Sequence, residues 1–414
     1  MPRPARPSPT PGGGPVTDPV RVDALANGGE GVGRLADGRA VFVAGALPGE
    51  TVRIELVEDR PRWARARLVA VVDAAPDRAE PPCAWQRDGC GGCDLMHLRP
   101  DAQIAAKVRL ARDALGRLGR LPAAVVEAGP PLPSTGVRTT VRVAVRDGRP
   151  AFRRRSSHDL LAVDSCLVAH PLLADLLADG RFGDAAEATL RAGAATGERL
   201  VVLDGSGRGA RLPADVGVVT TAELRHPSGA VPAVHEEVAG RRWQISAGSF
   251  FQASSVGAAA LVDTVRAAAA PVAGQGPPAI ALDAYSGVGL LGAALPDGVR
   301  LVAVESNPSS VADARVNQAG RDVELVEGRF ERWRPRPVDV AIADPARRGL
   351  GRAAAEVLAA TAAPVVVLVS CDLAALGRDS ADLVALGYDH IRSTVLDLFP
   401  HTSHAEVVTR FERR

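Results

Sequence analysis

The sequence predicts an α/β chain in three parts: a small N-terminal β-barrel, a central α+β region, and a C-terminal, mostly parallel sheet covered by helices on both faces. Three observations predict it. Short β-like runs crowd together before residue 75 with no helical pattern between them, whereas past residue 240 apolar strands alternate with Ala/Leu-rich helical stretches. At 414 residues the chain also exceeds what one hydrophobic core normally supports, so several domains are required. The composition shifts divide it at 1–16, 17–74, 75–240 and 241–414.

Met1 to Val16 carries a few Arg residues but no apolar stretch behind them, so a disordered leader is expected rather than a signal peptide. No apolar run approaches the ~20 residues of a membrane span, which argues against a membrane protein and for the cytoplasm. From Val20 to Val72, runs such as Ala40–Val43, Thr51–Leu56 and Ala66–Val72 are separated by turns such as Leu47-Pro48-Gly49, the pattern of a small barrel. Cys83, Cys90 and Cys93 follow, with Gly89, Gly91 and Gly92 allowing a tight loop, and Cys166 lies far downstream. Four thiolates converging on one centre suit a 4Fe-4S cluster or a structural zinc, and disulfides do not belong in the cytoplasm.

A helix is expected from Asp101 to about Leu118, its apolar face formed by Ile104, Val108, Leu110, Ala111 and Leu115. Net charge is only +1, so the distribution of charge matters more than its sum. Arg138 to Arg155 holds seven Arg against the single acid Asp147 in a β-hairpin pattern. Alternation with Val141, Val143 and Val145 puts Arg142 and Arg146 on one strand face, which either binds phosphate or is simply solvated.

In the C-terminal part, Ile280–Asp283, Leu301–Glu305, Val338–Asp344 and Pro364–Ser370 read as apolar strands. Asp283-Ala284-Tyr285-Ser286-Gly287-Val288-Gly289 then marks a strand ending in a glycine turn, where backbone passes close to a ligand. About twenty residues on, Glu305 ends the next strand, the place from which a carboxylate reaches ribose hydroxyls. Together they favour an adenosyl cofactor over a purely structural turn. Asp344-Pro345 opens on the same crevice or caps the following helix. Cys371 closes the last apolar strand, just before a helix near Leu373. It is either a small buried hydrophobe or a nucleophile whose thiol the helix N-terminus would make more acidic.

Gly28-Gly29-Glu30-Gly31-Val32-Gly33-Arg34, with Phe42-Val43 and Pro48-Gly49-Glu50, resembles a TRAM domain, an OB-like RNA-binding barrel. Ser249-Phe250-Phe251-Gln252, Asp283 to Gly289, Asp344 to Gly349, Ser370-Cys371-Asp372 and Phe399 to Glu406 follow in the order seen in RNA uracil-5-methyltransferases. The chain resembles that family over nearly its whole length. Ala346 stands where the family usually has a second Pro, and Leu290 where a polar residue often faces the cofactor.

The resemblance implies a Rossmann-like catalytic domain binding S-adenosylmethionine through Gln252, Tyr285, Gly287, Gly289, Glu305 and Asp344. C5 of uracil is too weak a nucleophile to take a methyl group unaided, and a thiolate added at C6 corrects this. Cys371 is the implied nucleophile and Glu406 the general base at C5, partly desolvated by Phe399, Pro400, His401 and His404; His404 is the other candidate base. Cys83, Cys90, Cys93 and Cys166 match the iron-sulfur subset of the family, with the first spacing one residue longer than usual and zinc the alternative. The partner is RNA, its uracil flipped from the stack. Ribosomal RNA is favoured because the transfer-RNA enzyme lacks both barrel and cysteines. A monomer is expected. The competing readings are transfer-RNA methylation and an iron-sulfur RNA-binding protein without catalysis.

Overall fold

The computed structural model describes residues 19–226, 229–272, 274 and 276–414; the leader expected at 1–16 lies outside them. Two compact units result, one comprising residues up to Glu80 with Asp94–Arg99, the other Pro81–Cys93 with Pro100–Arg414. Among the described residues no helix is long and apolar enough to cross a membrane.

In the first unit, strands Val20–Leu25, Glu30–Arg34, Ala40–Ala44, Thr51–Asp59 and Trp63–Asp73 close into a barrel. Alternation turns Val20, Val22, Val41, Val43, Val52 and Ile54 inward to form its core. Glu50 is fully buried beside this core. Its carboxylate accepts from the Leu47 amide at 2.8 Å and from Arg78 Nε and Nη2 at 2.5 and 2.8 Å. Burial, the largest single influence, raises its pKa, but the Arg78 hydrogen bonds and charge with the Leu47 and Ala75 amides together outweigh it and leave the carboxyl below the usual range.

The second unit runs unbroken through residue 240 and holds two large sheets. One has six strands, in the order Val216–Thr220, Arg199–Asp204, Glu187–Ala192, Thr140–Arg146, Arg149–Arg153 and Leu160–Ala162. Its middle contains the expected hairpin, where Arg142 and Arg153 both pair with Glu187, so part of the basic face is already neutralised.

The other sheet has eight strands. Val323–Glu327, Arg300–Glu305, Ile280–Ala284, Val340–Ala343 and Val365–Ser370 run parallel, followed by Glu406–Arg413 in the opposite direction, then Tyr388–Leu396 and, at the edge, Val126–Ala128, both aligned with the parallel set. The inner parallel strands are buried on both faces, as continuous runs such as Val365–Ser370 require. Strand order reverses beside Ile280–Ala284, with Arg300–Glu305 on one side and Val340–Ala343 on the other, which opens a crevice at their carboxyl ends.

Helix Pro100–Arg117 packs on helix Leu373–Ala385 and on the Tyr388–Leu396 and Val126–Ala128 strands at one end of this sheet. Leu110, Ala111 and Leu115 are buried as expected, but Ile104 and Val108 are only half-buried, and Gln103 and Lys107 take the inward positions. The buried stripe therefore runs one residue off the apolar pattern, because polar groups on the loop after Leu396 draw these two side chains in.

Candidate active site

The crevice is a cavity of about 470 Å³ built from the ends of five strands. Gln252, Tyr285, Gly287, Glu305, Asp344, Cys371 and Glu406 all line it, together with Phe250, Arg347, Phe399 and His404. Residues separated by over 150 positions in sequence are thus gathered by strand order alone.

After Ile280–Ala284 the chain turns sharply. Tyr285 adopts φ +61° and Gly287 φ +55°. Left-handed backbone is uncommon at a bulky residue, and here the Tyr285 ring packs on Phe330 with centroids 5.4 Å apart. Its hydroxyl lies 3.4 Å from Glu331, and burial, then Glu331, push its pKa up. A Cβ at Gly287 would meet nothing within 4 Å, so that glycine leaves open space on the cavity side. Its amide donates to Glu305 at 2.9 Å, while the other Glu305 oxygen accepts from the Ser306 and Asn307 amides, both at 2.6 Å. The carboxylate ending one strand thus pins the glycine turn ending its neighbour.

Gly289 has another task. It does not line the cavity; a Cβ there would lie 2.4 Å from Gln318 Nε2, which donates to the Gly289 carbonyl at 2.6 Å. The second glycine makes room for packing rather than for a ligand. Leu290 and Ala346 both line the cavity, so the two departures from the family pattern fall on its wall.

Asp283 is fully buried behind the turn, with neither carboxylate oxygen hydrogen-bonded among the described residues. Burial, then Asp344, push its pKa up to about 8. Burial also raises Asp344. The helix that follows Asp344 begins only at Gly351, and it is Asp379 that accepts from the Leu350 and Gly351 amides, so Asp344 is not its cap.

Cys371 directly follows the Val365–Ser370 strand and precedes Asp372, whose side chain caps helix Leu373–Ala385. The helix N-terminus is where the sequence puts it, but the expected acidification does not follow. Burial first, then the Glu406 and Asp344 carboxylates, push the thiol up to about 12, with Arg347 opposing them. Two buried anions and a desolvated sulfur outweigh one helix end. Glu406 opens the adjacent antiparallel strand, is buried, and its Oε1 lacks a partner among the described residues. Burial and Asp344 raise its pKa well above the ordinary carboxylate value. His404 is exposed at the rim and meets the Phe399 ring edge-on at 6.1 Å.

Residues 17–69 match the model of the TRAM domain. An uncharacterized RNA methyltransferase of Streptomyces avermitilis is 34% identical, over 95% of this chain and 97% of its own. The 23S rRNA (uracil(1939)-C(5))-methyltransferase RlmD of Chromohalobacter salexigens is also 34% identical, over 94% and 88%. The chain belongs to the RNA uracil-5-methyltransferase family. A crystal structure of Pyrococcus abyssi tRNA (uracil-54, C5)-methyltransferase in complex with S-adenosyl-L-homocysteine shares the fold, with TM-score 0.73 and 23% identity over 95% and 99% of the two chains.

In this family member the four predicted cysteines come together. Cys83, Cys90, Cys93 and Cys166 each lie within electrostatic reach of the others, and burial followed by its neighbours pushes Cys93 up to about 12. Gly91 permits this: a Cβ would press on the Arg153 carbonyl and Arg155 backbone at 3.0–3.1 Å, where its own amide donates to Arg153. Among the described residues no group of three His, Cys, Asp or Glu is arranged to hold a metal ion. Arg138 joins this patch to the crevice, its guanidinium facing Cys93 and Cys166 and lying 5.6 Å from the Phe399 ring centroid.

Sequence reasoning missed the left-handed Tyr285, the roles of Gln103 and Lys107, and the link through Arg138. One signal was available for the second: Gln103 and Lys107 stand four apart, at the spacing of a single helix face.

Proposed function

We propose that this chain is an S-adenosylmethionine-dependent methyltransferase that forms 5-methyluridine in 23S rRNA. The observation that carries the reading is Cys371 beside Glu406 on the wall of the same cavity as the Glu305-pinned glycine turn. Gln252, Tyr285, Gly287, Glu305 and Asp344 are suited to hold the cofactor, since they combine an open backbone turn, an oriented carboxylate and a ring. When bound, S-adenosylmethionine supplies the electrophilic methyl group.

Cys371 adds as thiolate to C6 of the flipped uracil, forming the S–C6 bond and moving the C5–C6 electron pair onto C5. Once C5 carries the methyl group, Glu406 removes the C5 proton, the C5–C6 double bond re-forms, and the S–C6 bond breaks to free Cys371. A buried carboxylate with an unpartnered oxygen suits this role better than the exposed His404. Phe250, 68% exposed at the mouth, offers a face on which an unstacked base can lie.

The RlmD relatives support ribosomal RNA as target; the barrel does not separate the two targets, since the tRNA enzyme of Pyrococcus abyssi shares the fold over 95% of this chain. Cys83, Cys90, Cys93 and Cys166 are proposed to hold a 4Fe-4S cluster, with zinc the second reading, because two separate segments bring four thiols within electrostatic reach of one another. The cluster would tie these segments together beside the Arg hairpin. Anaerobic purification with iron, acid-labile sulfide and zinc assays separates the two. A cytoplasmic location accords with an RNA substrate and reduced thiols. Nucleoside mass spectrometry of ribosomal and transfer RNA from cells lacking the protein tests the function. Loss of one 5-methyluridine from 23S rRNA is expected; an unchanged content in all RNA refutes it, and loss from transfer RNA alone moves the target.

A further inference from the structure

Helix Pro100–Arg117 sends two polar side chains, four residues apart, into the base of the loop that joins Tyr388–Leu396 to Glu406–Arg413. Lys107 is fully buried, and its ammonium donates to Asp397 Oδ1 at 2.5 Å and to the Phe399 carbonyl at 3.0 Å. Gln103 is also buried; its Oε1 accepts from the His401 amide at 2.8 Å and its Nε2 lies 3.2 Å from His401 Nδ1. The first contact fixes the orientation of the amide, so Nε2 is the donor to His401 Nδ1. Burial lowers the His401 pKa, in keeping with a neutral ring that accepts there.

The loop needs holding. His401 sits at φ +63°, a conformation a non-glycine residue keeps only when its surroundings impose it. Either side of His401 the loop contributes Phe399, His404 and finally Glu406 to the cavity. Packing alone would be served by apolar residues on the helix, and burying an ammonium brings no advantage in stability over them. A lysine and a glutamine aimed at one strained turn fit the fixing of geometry instead.

We propose that Gln103 and Lys107 are positioning residues that clamp the 397–404 loop and thereby aim Glu406 at C5 of the bound uracil. The proposal rests on the covalent reading given above, and it concerns the step that removes the C5 proton, not the addition of Cys371. If proton removal alone is slowed, the protein stays joined to the RNA through Cys371, and the adduct survives denaturing electrophoresis.

The test compares Gln103→Ala, Lys107→Met, Lys107→Arg and Glu406→Gln in the full chain with target RNA and S-adenosylmethionine. Expected for Gln103→Ala and Lys107→Met is kcat reduced about 10- to 100-fold, the scale of a small misplacement of a catalytic group. KM for RNA stays within about 3-fold and the denaturant-stable adduct accumulates, while Lys107→Arg restores part of kcat. Gln103→Ala, which leaves the Lys107 ion pair in place, carries the test should Lys107→Met fail to fold. Wild-type kcat in Gln103→Ala, or reduced kcat with no adduct where Glu406→Gln does trap one, overturns the clamp. If Glu406→Gln itself traps no adduct, the covalent reading falls instead.

Discussion

Cys371 and Glu406 each lie one residue beyond Ser370 and Val407, the last paired residues where their two strands meet, and both line the cavity. They are close enough that Glu406 is the largest charged influence on the Cys371 thiol. The meeting of the two strands brings thiol and carboxylate to one wall of the cavity. The same closeness makes the thiol harder to ionise while Glu406 is charged.

Replacing Cys371 by Ala is expected to lower methyl transfer by at least about 10³-fold, the scale for loss of a covalent nucleophile, with RNA binding unchanged. Methyl incorporation and filter binding on the same samples check this. Full activity in Cys371→Ala would remove the nucleophile assignment.

Free Cys371 should resist alkylation until strongly alkaline pH, since burial and then Glu406 hold its thiol near 12. Glu406→Gln deletes one anion and leaves burial in place. The pH dependence of alkylation at this cysteine, read by peptide mass spectrometry, therefore moves to lower pH yet stays above the ordinary thiol range. An unchanged profile would mean that the two groups are not electrostatic neighbours.

The two glycines of the turn should separate by experiment. Gly287→Ala costs about 1 kcal/mol, for a left-handed residue with free space around it, and its main effect falls on KM for the cofactor. Gly289→Ala must also displace Gln318 and costs roughly a further 1–3 kcal/mol, visible as a lower urea midpoint.

Asp283 gives stability an unusual pH dependence. Its folded pKa, about 8, exceeds the ordinary 3.8, so the folded state binds this proton more tightly than the unfolded chain. The resulting stability is complete below pH about 4 and is lost as pH rises through about 8. Melting temperatures of wild type should drop across that window, and Asp283→Asn should flatten the drop. A parallel decline in both proteins would exclude Asp283 as its source.

In the barrel, Glu50→Ala strands Arg78 and the Leu47 amide without their shared acceptor. The expected loss is roughly 2–3 kcal/mol, the range for a buried charged hydrogen-bond centre with one partly wet partner. Thermal unfolding of Glu50→Ala beside Glu50→Gln checks it, the amide keeping part of the contact.

Much of this molecule is legible along the chain. Alternation in Val41 and Val43 marks the barrel, and continuous apolar runs ending in Asp283, Glu305 and Ser370 mark parallel strands and their carboxyl ends, because burial on one face or two writes itself into neighbouring residues. Cys371, Glu406 and the four clustered cysteines were visible as motifs for the same reason, each being set in a short local pattern. What lay out of reach depends on residues far apart. Gly287 and Gly289 look alike in sequence, and only Gln318 behind one of them distinguishes ligand space from packing space. The helix beside Cys371 promised an acidic thiol until two carboxylates from other strands were folded against it. Lys107 reads as a surface lysine until Asp397 and the Phe399 carbonyl close around it. The sequence by itself determined which elements form and which chemistry each strand end carries. Tertiary structure alone decided the ionisation of those groups and which side chains hold them in place, since desolvation and charge coupling act through space between segments that share no local pattern.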